Sequence, residues 1–386
     1  MRYISADHIF SGKEFLPTNS VLVLNHHGMI SDIIPQEATE FSNIERFEGI
    51  ISPGFINSHC HLELSHLKNI IKQHTGIIDF GLGVMKHRDD VSIEIQQEAM
   101  RQADQEMQRQ GIVAVGDISN SSSSIQVKQN STLHYHTFVE LIALNPERAN
   151  LVFDSGKELL AEFHKAKLSA SLVAHAPYSV SLELIKKITD NCHDSDQPTS
   201  IHNQESNEEN NFFKFKSGDY LRLYDTINVP INYFKATGKS SLQTIISSLH
   251  TEVNTLLVHN TFSNKEDIEK AEQLHSKLFW CLCPNANLYI ENTLPNINLL
   301  YSQNCHLTIG TDSLASNKGL SIIEEINSII KLQPHIPIEI LLSAATNQGA
   351  KFLKLENSFG MIEKAKIPGI NHISGNAGNY KVVKLY

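Results

Sequence analysis

Two histidines one residue apart follow an apolar run in Ile50-Ile51-Ser52-Pro53-Gly54-Phe55-Ile56-Asn57-Ser58-His59-Cys60-His61. Side chains at i and i+2 of an extended segment share a face, so the imidazoles of His59 and His61 can converge on one metal ion. A lone His-x-His is weak evidence. Three further apolar runs end in a similar way. Thr199-Ser200-Ile201 leads into His202-Asn203-Gln204-Glu205, and Thr255-Leu256-Leu257-Val258 into His259-Asn260-Thr261. Leu307-Thr308-Ile309 leads into Gly310-Thr311-Asp312-Ser313. Each run terminates in a residue able to bind or serve a metal. One such histidine is more often a satisfied core residue than a ligand. Burying the whole set without a metal is costly, and the four together favour a metal site.

Such residues need a scaffold that gathers strand ends. Runs at 51–56, 112–115, 137–139, 171–174, 199–201, 255–258, 278–282 and 307–309 read as eight short buried strands. Helical patterns lie between them. Val91, Ile95, Ala99, Ala103 and Met107 recur at helical spacing with Gly111 as the stop, and Ser263 with Glu266 fits a capping box. This alternation predicts an α/β fold with a parallel sheet buried on both faces, most economically a (β/α)8 TIM barrel. Barrel enzymes place their chemistry just past the C-terminal ends of the strands. A doubly wound sheet is the rival, but no Gly-x-Gly-x-x-Gly or P-loop marks a switch point. Ahead of the barrel, Tyr3-Ile4, His8-Ile9-Phe10 and Val21-Leu22-Val23-Leu24 read as a meander of short strands. A last strand at 380–385 can close the same small sheet. Asn120-Ser121-Ser122-Ser123-Ser124 reads as a polar surface connection.

Composition excludes several classes. The chain has 386 residues, 41% hydrophobic and 19% charged, which is enough to bury a large core without staples. Its 32 Lys and Arg against 42 Asp and Glu give a net charge of -10, the wrong sign for neutralising phosphates, so no nucleic-acid partner is expected. Five cysteines are an odd number without regular spacing, which speaks against a disulfide framework. Cys281 and Cys283 stand at strand alternation and read as structural. The opening residues form no apolar stretch for secretion, and no run approaches the ~20 apolar residues of a membrane span. The expectation is a soluble cytoplasmic protein with no membrane partner. Twenty histidines against five cysteines point to imidazole rather than thiol chemistry.

At these residues the sequence resembles the amidohydrolase superfamily, and within it the mononuclear deaminase and chlorohydrolase branch of atrazine chlorohydrolase and S-adenosylhomocysteine deaminase. The opening at 53–61, His202-x-x-Glu205, Cys283-Pro284-Asn285-Ala286-Asn287-Leu288 and 310–317 match its motifs. The tail at 360–369 follows the family pattern only loosely. The resemblance implies a small β-sandwich built from 1–52 and 356–386 around a barrel at 53–355. It implies a ligand set of His59, His61, His202 and Asp312. Binuclear members carry a carboxylated lysine after strand four, where this chain has Ala174-His175-Ala176-Pro177, so one divalent ion is expected. Nitrogen-rich ligation suits zinc, with iron or manganese as replacements.

The activity implied is hydrolytic deamination of an amino-substituted heterocycle, a carbon–nitrogen bond other than a peptide bond, in a small-molecule substrate. A purine nucleoside-like compound is expected, and His61-Leu62-Glu63-Leu64-Ser65 resembles aminodeoxyfutalosine deaminases. By the same resemblance, metal-bound hydroxide attacks the amino-bearing carbon. Asp312 takes the water proton, His259 orients the nucleophile, and Glu205 protonates the ring nitrogen and serves the departing ammonia. His175 resembles a substrate-binding histidine of nucleoside deaminases. Glu63, Ser316 and Asn317 are further substrate-binding candidates, or braces of their loops. The alternatives are hydrolysis of a cyclic amide or another C–N or C–X bond, and a non-catalytic oligomeric scaffold of the same fold. The family's habit also suggests a homodimer.

Overall fold

The barrel strands are short and apolar on both faces, which suits a parallel sheet packed against helices outside and against itself inside. The computed structural model describes residues 1–38 and 43–386. Four strands come first: β1 (Arg2–Ile9), β2 (Ser20–Leu24), β3 (Ile30–Pro35) and β4 (Ile44–Pro53). The barrel follows with β5 (Phe55–Cys60), β6 (Ile112–Ser119), β7 (His134–Leu141), β8 (Ser169–Ala174), β9 (Thr199–Asn203), β10 (Thr255–His259), β11 (Leu278–Leu282) and β12 (His306–Ile309). β13 (Ile370–Ser374) and β14 (Lys381–Lys384) end the chain.

Strands β5 to β8 pair in parallel order, as do β9 to β12. Backbone hydrogen bonds join the two half-sheets at both edges. At one seam the N–H of His202 donates to the carbonyl of His175 at 2.9 Å. At the other, the N–H groups of Thr311 and Asp312 donate to the carbonyl of His59 at 2.9 and 3.1 Å, beside a parallel bridge between Cys60 and Asp312. Both seams are therefore held at the residues singled out for chemistry. Every residue of β5, β6, β9, β10 and β11 is buried. Ile56, Ala114, Phe138, Val173, Leu256 and Phe279, from six strands, pack together as the barrel interior. Phe352 joins them with its ring 5.8 Å from that of Phe138 and 5.6 Å from that of Phe279.

Strands from both termini pair in one six-stranded sheet, in the order β14-β13-β4-β1-β2-β3. Its apolar residues Ile4, Leu22, Leu24, Ile30, Ile51 and Ile370 pack together and recruit Ile362 from the tail. All five cysteines are free and buried, with the sulfurs of Cys281 and Cys283 3.9 Å apart. Among the described residues no helix is long and apolar enough to cross a membrane.

Two local expectations are corrected. The helix Ile93–Arg109 starts after Val91, and its buried stripe is Met100, Ala103, Asp104 and Met107, while Ile95 is 54% exposed. Asp104 is buried there because it accepts hydrogen bonds from Ser131 and Tyr135, which a hydropathy pattern cannot foresee. The capping box near 263 is Asn264 with Asp267: each side chain accepts the other's backbone N–H. Ser263 donates instead to Gln204 Oε1 at 2.6 Å.

Candidate metal centre and active site

The strand ends carry unusual backbone. Gln204, His259, Asn260 and Asp312 all have positive φ, at 45°, 75°, 57° and 56°. For non-glycine residues this costs on the order of 1 kcal/mol or more each, and surrounding contacts must hold it. One holder is Asn57 on β5, whose side chain donates to Thr311 Oγ1 at 2.8 Å and accepts the Thr311 N–H at 3.1 Å. Gly310 permits the same approach, since a Cβ there would lie 2.8 Å from both the Cβ and the carbonyl oxygen of His59. The positive φ values turn the chain sharply at these strand ends.

Four side chains converge there. His61 Nε2 lies 3.1 Å from His59 Nε2 and 3.2 Å from His202 Nε2. Asp312 Oδ1 is 3.3 Å from His61 Nε2 and 3.6 Å from His59 Nε2. Potential ligand atoms of His59, His202, His259 and Asp312 also lie within 4.8 Å of one another. The tautomer of His202 follows from its partner: Nδ1 is 2.7 Å from the carbonyl of His175, which can only accept. Nδ1 therefore carries the proton and Nε2 presents a lone pair to the cluster. Burial lowers the pKa of His59, His61, His202 and His259, which favours the neutral rings. Burial opposes ionisation of Asp312, but the surrounding imidazoles outweigh it and hold the carboxyl well below the usual range. Converging lone pairs and a carboxylate repel each other unless a cation lies between them. Ligand bonds of ~2.0–2.1 Å in a tetrahedron separate donors by ~3.3 Å, so the donor set fits such an ion.

Beside this cluster stands Glu205, 5% exposed, with Oε1 3.7 Å from His259 Nε2. Burial, reinforced by the charges of Asp312 and Glu291, pushes its carboxyl well above the usual carboxylate range. Its backbone is clamped by Glu209, whose carboxylate accepts the N–H of Gln204 at 3.0 Å and of Glu205 at 3.3 Å. His259 Nδ1 is 3.3 Å from Asn287 Oδ1, and Asn287 in turn donates to Thr261 Oγ1. Above these groups opens a cavity of about 190 Å³. Its polar lining includes His61, His175, His202, Glu205, His259 and Asp312. Its apolar walls include Ile77, Ile78, Phe80 and Val84 of the helix Gly76–His87, together with Tyr178, Tyr220 and Leu223.

A model of the amidohydrolase family matches residues 50–384. The chain belongs to the amidohydrolase family. It is similar to a protein named adenosine deaminase from Helicobacter pylori, with 26% identity over 367 residues, 91% of this chain and 88% of that one. It is similar also to an aminodeoxyfutalosine deaminase of Nitratiruptor sp., with 28% identity over 295 residues, 74% of this chain and 69% of the relative. In fold it superposes on Helicobacter pylori aminofutalosine deaminase, crystallised with methylthio-coformycin, at a TM-score of 0.82 and 24% identity, covering 97% of this chain and 93% of that one.

Within this amidohydrolase, His175 lines the cavity with its Nδ1 engaged by Ser179 Oγ at 2.6 Å. Glu63, Ser316 and Asn317 are not among the residues that line it, and their hydrogen bonds fit the loop-brace alternative. Glu63 accepts the N–H groups of Asn120 and Ser121 at 3.0 and 3.2 Å and the Ser121 hydroxyl at 2.8 Å, so its carboxylate is spent on the loop 120–123. That loop is thus a brace as well as a surface connection. Ser316 donates to Asp312 Oδ2 at 2.5 Å, and Asn317 donates to the carbonyl of Thr311 at 2.9 Å and to Glu325 at 2.7 Å. Ser316 thus holds the Asp312 carboxylate, and Asn317 holds the backbone just before it. Asn120, Glu140, Tyr178, Tyr220 and Ser313 line the cavity without having been foreseen. Of these, Tyr178 lies in the segment His175-Ala176-Pro177-Tyr178-Ser179 and Ser313 in the motif at 310–317.

Proposed function

We propose that this amidohydrolase is a metal-dependent hydrolytic deaminase of an amino-substituted heterocycle of the purine nucleoside class, with aminodeoxyfutalosine-like compounds among its candidates. His59, His61, His202 and Asp312 would hold one divalent ion, and their nitrogen-rich set suits zinc best, with iron or manganese as substitutes. When bound, the ion supplies Lewis acidity that lets a water ionise near neutral pH. Asp312 would take up the proton released by the attacking water. His259 orients the nucleophile by hydrogen bonding. Glu205 would enter protonated and hand its proton to the ring nitrogen next to the amino-bearing carbon. As a carboxylate it would then relay the proton held by Asp312 to the amino group, so that the C–N bond breaks and ammonia departs. The proton of the new hydroxyl would restore the Glu205 acid.

The observation that carries the reading is the buried Glu205 carboxyl that faces the cavity 3.7 Å from His259, where burial raises its pKa and favours the protonated form. Hydrolysis of a cyclic amide has less need of a ring-nitrogen acid, so a buried proton donor at this place favours deamination. The apolar and aromatic walls suit a flat heterocycle, and the names borne by the relatives agree. The same reading divides the chain at 52/53 and 355/356, supported by β4 ending the terminal sheet at Pro53 and β5 opening the barrel at Phe55. The test is ammonia release by the zinc-loaded protein across aminopurine nucleosides, pterins, pyrimidines and triazines. Release from a purine nucleoside is expected. Release from none of the four classes would sink the proposal.

A further inference from the structure

The cavity runs from a buried polar floor to an open rim. Glu205, His259 and Asp312 are 5%, 1% and 6% exposed, whereas Met85 and Ile142, which line the same cavity, are each 52% exposed. Arg88 follows Met85 by about one helical turn and is itself half-buried. Among the described residues that line the cavity it alone carries a fixed positive charge, and the chemistry above gives it no task. The helix Gly76–His87 explains how it comes there. Ile77, Phe80, Gly81, Val84 and Arg88 recur at helical spacing and all line the cavity, a stripe ~16 Å long with Arg88 at its end.

The backbone of Arg88 is fixed on both sides of its peptide. Its N–H donates to the carbonyl of Val84 at 2.9 Å. Its carbonyl accepts from His66 Nε2 at 2.9 Å and from Gln96 Nε2 at 3.2 Å. His66 belongs to the turn Leu62–Leu67, directly after the metal motif, so the place of Arg88 is tied to the chain that carries His59 and His61.

The guanidinium, by contrast, has no acid beside it. Arg2, Arg101, Arg109 and Arg222 each pair with a carboxylate at 2.6–2.8 Å. Among the described residues Arg88 pairs with none, and Asp90, two residues on, is engaged by His87 Nδ1 at 2.6 Å instead. A cation at a helix C-terminus gains from the helix dipole, but that gain does not require a place on the cavity wall. A half-buried guanidinium with its donors unspent matches one kind of ligand group, an anion whose oxygens accept two parallel N–H bonds.

We propose that Arg88 determines specificity by pairing with an anionic group, a carboxylate or a phosphate, at the far end of the substrate's substituent. Met85 and Ile142 would flank the apolar part of that substituent. The proposal rests on the deaminase reading, because a heterocycle reacting at the floor must send its substituent to the rim, where the cavity opens. A neutral analogue of the same shape is then penalised, since it replaces a charge-assisted pair by a weaker contact.

The experiment compares the zinc-loaded wild type, Arg88→Gln and Arg88→Lys on two pairs of substrates. One pair is 5'-thioadenosine bearing a carboxyethyl or a carbamoylethyl group on sulfur, which differ in charge and hardly in shape. The other is adenosine 5'-monophosphate and adenosine. Zinc affinity is measured by chelator competition in all three proteins. The wild type is expected to favour the anionic member of at least one pair by ~10–100-fold in kcat/KM, mostly through KM. Preference within the first pair assigns the site to carboxylates, and within the second to phosphates. Arg88→Gln should reduce the preference to ~3-fold or less with zinc affinity retained, and Arg88→Lys should keep part of it. No preference within either pair would overturn the proposal, as would a preference that survives in Arg88→Gln. If no compound releases ammonia, the deaminase reading fails on its own. Calorimetry with the corresponding inosine compounds then decides: tighter binding of an anionic member, lost in Arg88→Gln, sustains the anion site, and equal or absent binding removes it.

Discussion

Asp117 Oδ1 accepts the backbone N–H of Leu62 at 2.7 Å, and thereby grips the chain one residue past His61. Its other oxygen faces Lys128 Nζ at 2.7 Å, and neither side chain has any exposure. Lys128 spends its remaining donors on Ser119 at 3.0 Å and Thr137 at 2.9 Å. The metal motif is therefore anchored to a fully satisfied ion pair inside the fold. Removing one partner strands a buried charge, whereas removing both does not. Lys128→Met should cost ~3–5 kcal/mol in urea denaturation, and the double variant Asp117→Asn, Lys128→Met should recover part of it. A double variant no more stable than Lys128→Met would mean that the pair is not the source of the loss.

Glu205 supplies a sharper test of the chemistry. Glu205→Gln keeps the shape and the amide oxygen but can no longer give up a proton. The variant should retain zinc and its circular dichroism while kcat falls ~10²–10⁴-fold. Metal retention with full turnover would remove Glu205 from the acid role.

Burial makes one stability contribution depend on pH away from the metal. Burial pushes the Glu325 carboxyl up to about 8. It accepts the backbone N–H of Asn285 at 2.8 Å and the amide of Asn317 at 2.7 Å. A pKa raised above its unfolded value means that the folded state binds the proton more tightly. The stabilisation is then complete below the unfolded pKa, near 4.5, and is lost as pH rises through about 8. Glu325→Gln has no proton to lose. Stability of the wild type relative to Glu325→Gln should fall between pH 5 and 8, by on the order of a few kcal/mol. Parallel stability curves for the two proteins across that range would contradict it.

Metal removal should destabilise as well as inactivate. With the donors of His59, His61, His202 and Asp312 buried around one point, a bound ion favours the folded state by mass action. A chelator should lower the calorimetric Tm, and added zinc should restore it. At free ion ~1,000 times Kd the effect is ~4 kcal/mol. A Tm indifferent to chelator and to zinc would mean that no ion is held here.

Much of the fold was legible because its signals are local. Eight apolar runs and their polar ends can be read within windows of ten residues, and strand alternation alone puts His59 and His61 on one face. Helix details were less legible, because a cap depends on backbone geometry. Ser263 and Asn264 are adjacent and both suitable, and only the turn decides that Asn264 caps. Proximity in sequence misled at Glu63, two residues past a metal-motif histidine yet turned to the loop 120–123. Asp117, Lys128, Glu140 and Glu209 carried no motif at all, since each draws its meaning from partners on other elements or from the cavity it faces.

The residue types by themselves determined the chemistry on offer: imidazoles, carboxylates and a barrel with strand ends to display them. Tertiary structure decided which groups meet and in what state. The closing of two seams brought His59 to Asp312 and His175 to His202. The second contact set the His202 tautomer, because a carbonyl can only accept and so fixes the proton on Nδ1. Burial then biased charge, lowering the imidazole pKa and raising that of Glu205. No window of sequence encodes those outcomes, because desolvation and hydrogen-bond direction are properties of the assembled surroundings and not of the residue.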